Sequence, residues 1–423
     1  MTKKSFSVFA FLLFLTINLP AQIAQPTPMP TRARVISAPT PTPAKFVVVT
    51  TTPTPRPIAT PVTNPIPVDR PAPLPTPAVP QNNYKILSLG QIKSKIAEAK
   101  RLMQSRPMPT GLTDGAVAMD IVRLAFYDWK TQRLDFVVMT KSAFLAKNAE
   151  FSLISTNGKQ MNIRVVRANG VNTPVTIFDQ TGEIHTPLVV QYPVERGGQY
   201  METAYYTSTH TGVVTPEVVN AGKLYVRNTI DVARQKLSEK GIVISPQIAD
   251  IAERLSTVEH VDHLRFKNEY HPNIYNDIFT LYALNEGQTY RYSVSSAGAG
   301  GMVQMIPATY YMIRTRYPSV GLMPDFVEGM RNHQNAAQAM LLYMKMTWDD
   351  LIASETIYNA LTDGTATAPD LMAAGYNSNP AKLAGYIKRG GSGWRNLIPR
   401  ETKIYLQIYA SLDRYVPMTP RVK

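Results

Sequence analysis

Cysteine is missing from all 423 residues. Its absence excludes disulfides, thiol catalysis, cysteine-ligated metals and lipid attachment at an N-terminal cysteine. Long apolar runs are missing too. The run from Phe6 to Leu19 follows Lys3 and Lys4 and precedes Pro20 and Ala21, and it falls short of the ~20 apolar residues of a comfortable membrane span. Basic start, short apolar stretch and small residues together predict a secretory signal over 1–24, with retention as an anchor the alternative. No later segment could cross a bilayer, so no membrane span is expected once the signal is removed. Acidic residues are in deficit, 30 against 44 Lys and Arg, for a net charge of +14. That balance suits either an anionic partner or a well-solvated surface. No nucleic-acid-binding motif accompanies it, so no nucleic-acid partner is expected.

Proline is unevenly spread. About half of the 34 prolines lie between Gln25 and Gln81, where fixed φ and missing donors forbid helix and sheet. Residues 25–82 read as an extended, disordered tether. Over 83–110, Leu89, Ile92, Ile96, Ala99 and Met103 recur at helical spacing after Ser88, a candidate N-cap. Residues 111–215 alternate short apolar runs with turn residues. Asn157-Gly158 sits between two such runs as a hairpin signal. The region predicts a β-sandwich or small barrel, an accessory module for docking, binding or a protein partner. A connector, 216–244, leads to 245–423, where Ile248, Ile251, Ala252 and Leu255 open an all-helical pattern. The fold class expected is α+β multidomain: signal and tether, β-sandwich-like middle domain, all-α C-terminal domain.

Chemistry concentrates in Leu284-Asn285-Glu286-Gly287 and in the stretch from Ser295 through Gly298, Ala299, Gly301 and Gln304 to Pro307. Glu286 closes a helical pattern whose same-face neighbours are Tyr282, Phe279 and Tyr275. A carboxyl group against aromatic rings is desolvated and tends to keep its proton, which suits a general acid; a solvated Glu at a fraying helix end is the plainer alternative. The following Ser/Ala/Gly loop permits close approach by a backbone or ligand. It lacks Gly-Lys-Ser/Thr and is no P-loop. His260-Val261-Asp262-His263 has metal-ligand residue types without a third ligand, and reads as a solvated helix end rather than a zinc site.

Together these residues resemble the soluble lytic transglycosylase catalytic domain, a relative of goose-type lysozyme. Glu286 and Ser295 stand nine positions apart, as do the glutamate and serine of the family pattern, and Gly298, Ala299, Gly301, Gln304 and Pro307 fall in register. A second block, Ala-Tyr-Asn-x-Gly-Pro, is similar to Gly375-Tyr376-Asn377-Ser378-Asn379-Pro380. A third, Pro-x-Glu-Thr-x-x-Tyr, matches Pro399 to Tyr405. The resemblance covers 245–423 and implies a lysozyme-like helical fold acting on peptidoglycan glycan strands, outside the bacterial cytoplasm in the periplasm or cell envelope. It implies Glu286 as sole acid/base, Ser295, Gln304 and Tyr376 along the glycan groove, Asn377 at the local turn, and neither cofactor nor metal. Gly287 departs from the family's Ser, and Ile306 from a groove-lining Met.

The reaction expected is cleavage of the bond between N-acetylmuramic acid and N-acetylglucosamine. The alternatives are a hydrolytic muramidase and a silent glycan-binding protein of the same fold. A hydrolase needs a second carboxylate, and none occurs from Gly287 to Pro324; the next are Asp325 and Glu328. A non-hydrolytic reaction leaving 1,6-anhydro ends is therefore favoured.

Overall fold

The computed structural model describes residues 85–106 and 119–422. The expected signal and tether lie outside the described residues. The first described helix, α1 (Leu89–Ser105), opens with a capping box: Ser88 Oγ accepts from the Gln91 N–H while the Gln91 side chain accepts from the Ser88 N–H. These bonds satisfy donors that no helical carbonyl can reach. The helix buries Ile92, Ile96, Ala99 and Met103, the stripe expected from spacing.

Seven strands follow: β1 (Ile121–Asp128), β2 (Arg133–Thr140), β3 (Glu150–Ile154), β4 (Gln160–Val165), β5 (Val175–Asp179), β6 (Ile184–Arg196) and β7 (Gln199–Tyr206), with the short α2 (Lys141–Phe144) after β2. All pairings are antiparallel. The order is β2-β1-β6-β5-β4-β3, and β7 also pairs with β6. The β3–β4 hairpin turns at Asn157-Gly158, where Gly158 adopts a φ of 77°.

This is a correction to the expected β-sandwich. There is one curled sheet, a half-barrel, and no second sheet opposes it among the described residues. The reason lies in the alternation along β1. Leu124 and Phe126 face a cluster inside the curl with Met161, Ile163, Ile177 and Val190, whereas Ala125 and Tyr127 face the apolar stripe of α1. A helix supplies the layer that a sandwich would take from a second sheet.

The remaining elements are helical: α3 (Pro216–Ser238), α4 (Pro246–Val258), α5 (His263–Asn268), α6 (His271–Asn285), α7 (Pro307–Arg316), α8 (Phe326–Arg331), α9 (His333–Ile352), α10 (Glu355–Thr362), α11 (Ala368–Asn377), α12 (Leu383–Gly390) and α13 (Arg400–Tyr415). Residues 216–244, expected as a connector, are largely α3, which packs into the helical core. Gly222 lies so close to α6 that a Cβ there would come within 1.8 Å of the Phe279 carbonyl oxygen. Sheet and helices fall within one unit, Val79–Lys423. The helix α6 joins them, because Leu281 belongs to the core inside the curl while Ala283 and Leu284 belong to the α1 core. No helix among the described residues is long and apolar enough to cross a membrane.

Candidate active site

Glu286 ends α6 in an unusual conformation, φ 46° and ψ −124°, a region L-residues adopt only at a cost. The reversal takes its side chain off the helix face carrying Tyr275, Phe279 and Tyr282. Those rings are buried in the core. The carboxylate instead points outward, with 56% of the side chain exposed, and pairs with Lys93 of α1 at 2.6 Å. The aromatic desolvation expected from sequence is not its environment.

The loop after it is ordered by its own polar groups. Ser295 is exposed, and its Oγ accepts from the Ala299 N–H. Gln304 also has a positive φ, 46°, and its amide donates to the Gly301 carbonyl at 2.8 Å and to Ser293 Oγ. Gly301 is required by contact: with φ 68°, an added Cβ would stand 2.4 Å from the Met330 carbonyl oxygen. The small residues of this loop thus admit another backbone.

The second and third sequence blocks do meet. Thr402 Oγ1 donates to Asn377 Oδ1 at 2.9 Å, so Asn377 holds α11 to the start of α13. Tyr376 donates to the Val303 carbonyl at 2.7 Å, tying α11 to the loop before α7. Neither Tyr376 nor Gln304 makes a hydrogen bond with Glu286. The tyrosines of these blocks bear instead on another carboxyl group, that of Glu259: Tyr405 bonds it, and Tyr376 lies within its electrostatic reach.

Glu259 follows α4 with φ −58° and ψ −19°, so the helical screw continues through it. It therefore stays on the stripe of Ile248, Ile251, Ala252 and Leu255, all buried. Tyr405 donates its hydroxyl to Glu259 Oε1 at 2.6 Å. Desolvation by burial pushes the Glu259 carboxyl up to about 8, opposed by the Tyr405 hydrogen bond and assisted by Glu401. Tyr376 is held well above its usual value by burial and then by the nearby Glu259 and Tyr343. Burial thus favours the protonated form of Glu259 and of both tyrosines.

The neighbouring His260 is not a solvated helix end. Its ring stacks on Tyr290, centroids 3.3 Å apart and planes 3° from parallel. Because a carbonyl only accepts, Nε2 donates to the Met302 oxygen at 2.9 Å, and burial lowers the imidazole to about 3. His260 is thus a neutral strut joining the end of α4 to the loop that carries Gln304. No cluster of metal-ligating residues occurs among the described residues.

Glu259 and His260 line a cavity of about 640 Å³ between the helices and the curled sheet. Asp262, Arg265, Asp277, Tyr290 and Ser293 line it from the helical side. Its other carboxylates have partners. Asp277 pairs with Arg265, Asp262 caps α5, and Glu195 pairs with Lys141. Asp325 and Glu328 are not part of this lining.

Comparisons with protein-family models, with curated proteins and with solved structures found no match for this chain.

Proposed function

We propose that this chain cleaves the glycan strands of peptidoglycan outside the bacterial cytoplasm, with Glu259 rather than Glu286 as the acid/base. The carrying observation is the convergence of three sequence blocks on Glu259. The third block bonds it directly through Tyr405, the loop of Gln304 is tied to the adjacent His260 through Met302, and Tyr376 of the second block, bonded to Val303, lies near enough to feel its charge. A carboxyl group kept protonated, set at a helix end and opening into a large cleft, fits general-acid work at neutral pH.

On this reading Glu259 protonates the bridging glycosidic oxygen and the bond from muramic C1 to that oxygen breaks. The substrate's acetamido group stabilises the positive charge developing at C1. The Glu259 carboxylate then takes the proton of the C6 hydroxyl as O6 attacks C1, which regenerates the acid and leaves a 1,6-anhydro ring. Tyr405 holds the carboxyl in place through both steps. The commitment of Asp262, Asp277 and Glu195 to other partners favours this route over hydrolysis, which needs a free second carboxylate. Mass spectrometry of digested glycan strands tests the reading. Anhydro ends, one water lighter than reducing ends, are expected. Reducing muramic ends alone would make the reaction hydrolytic, and no cleavage at all would remove the enzymatic reading.

A further inference from the structure

The far wall of the cleft belongs to the sheet. Lys141, the loop Arg167–Asn172, Tyr192, Val194 and Glu195 line it opposite Glu259 and Asp262. Two of its cations are already engaged. Lys141 binds Glu195 and the Pro193 carbonyl and lies over the Tyr192 ring. Arg265, facing it from α5, makes hydrogen bonds to Glu269 and to Asp277 at 2.7 to 3.0 Å.

Arg167 differs from both. Its side chain is 31% exposed, and its nearest carboxylate is Asp277 at 3.8 Å, beyond hydrogen-bond range. Its guanidinium makes no hydrogen bond to any described residue. The segment that carries it is already ordered. Val166 N–H donates to the Pro174 carbonyl, Thr173 Oγ1 accepts from the Asn169 N–H and donates to the Gly170 carbonyl, and Ser208 donates to Asn172. A half-buried guanidinium on a fixed loop presents a planar fork of donors suited to a carboxylate.

We infer that Arg167 forms a subsite for a carboxylate of the substrate's stem peptide, so that the sheet reads the peptide while the helices cut the sugar. This rests on the glycan-cleaving reading above. The stem peptide hangs from the lactyl group of muramic acid, next to the bond that Glu259 would cleave. Its carboxylates are the anionic groups closest to that bond, and Arg167, whose ion pair with Asp277 is long at 3.8 Å, still has its hydrogen-bond donors to offer in the same cleft. Asp262 and Asp277, facing Arg167, bear on selectivity as well: they disfavour anions at any position other than the one the fork can reach.

The test is equilibrium binding by the full chain carrying Glu259→Gln, which prevents turnover. Three probes are compared: glycan oligomers bearing stem peptides, the same oligomers with peptides removed by an amidase and the lactyl carboxyl groups thereby freed converted to amides, and peptide-bearing oligomers whose carboxyl groups have been converted to amides. Peptide-bearing oligomers should bind about ten-fold or more tighter than either of the others, and Arg167→Ala should collapse that ratio towards one, with Arg167→Lys between. Equal affinity for peptide-bearing and amidated probes overturns the subsite, whatever the folding of the variants, and leaves the glycan reading standing. An undiminished ratio in a folded Arg167→Ala variant also overturns it. Failure of all three probes to bind would remove both readings together.

Discussion

The ends of α4 and α6 each carry a glutamate in phase with a buried stripe, and only one of them is retained by the core. At Glu259 the helical φ and ψ persist, and the carboxyl remains over Leu255 and beneath Tyr405. At Glu286 the backbone reverses to a positive φ within a single residue, and the carboxyl swings out to Lys93. Periodicity assigns a side chain to a face only while the screw continues. One dihedral pair at the final residue decides between a desolvated acid and a solvated ion pair.

Paired substitutions at these two ends give the largest expected contrast. Glu259→Gln should lower release of soluble fragments from purified peptidoglycan by ~10²–10⁴-fold or more, while Glu286→Gln should stay within a few-fold of the parent. The reverse pattern would return the acid to α6.

Stability against pH separates the ends in another way. The folded-state pKa of Glu259 lies near 8, above its ordinary value of 4.5. Its proton therefore stabilises the fold fully below about 4.5, and that contribution is lost as pH rises through about 8. Thermal unfolding of the parent should drop in midpoint between pH 5 and pH 9. Glu259→Gln, with no charge to bury, should show a smaller drop and should exceed the parent at pH 9. Identical pH slopes for the two proteins would mean that this carboxyl is solvated.

Tyr405 offers a finer adjustment. Its hydroxyl stabilises the ionised form of Glu259 and so opposes the upward shift. In Tyr405→Phe the carboxyl should hold its proton to still higher pH, and the alkaline limb of the rate profile should move upward while the maximum rate falls. A limb unmoved in Tyr405→Phe would place the titrating group elsewhere. Smallest of all is Lys93→Ala. An exposed ion pair contributes ~0–1 kcal/mol, so denaturant unfolding should register a change no larger than that. A markedly greater loss would show that the turn at Glu286 depends on this pair.

Much of the helical region was legible in sequence because buried stripes and caps are local. The face of α1, the Ser88 cap and the hairpin at Asn157-Gly158 all follow from spacing and turn chemistry. The single sheet was not legible, since alternation in β1 reports two buried faces without saying whether strand or helix covers the second. The sequence blocks picked out residues that the fold ties together: Tyr376 bonds the loop carrying Gln304, and Asn377 bonds Thr402. Whether they line a glycan groove is a matter for the binding and cleavage tests. The proposed acid was harder to place. A glutamate nine positions before Ser295 satisfied the expected spacing, whereas Glu259 is separated from the loop by α5 and α6. The available signal was physical: a carboxylate continuing the apolar row of Ile248, Ala252 and Leu255 at the end of α4.

The attachment of α1 also bears on how the protein withstands tension. Its row of Ile92, Ile96, Ala99 and Met103 lies against Leu188 and Val189 of the sheet and against Ala283 and Leu284 of α6. A pull applied at the N-terminal side of α1 would load this contact before it reached Glu259. The Ser88 cap and the bond from the Leu89 N–H to Glu217 at the start of α3 would yield first, and the apolar row would then slide or peel. No residue of α1 lines the cleft, so α1 would act as a mechanical fuse, giving way while the Tyr405–Glu259 hydrogen bond stays closed.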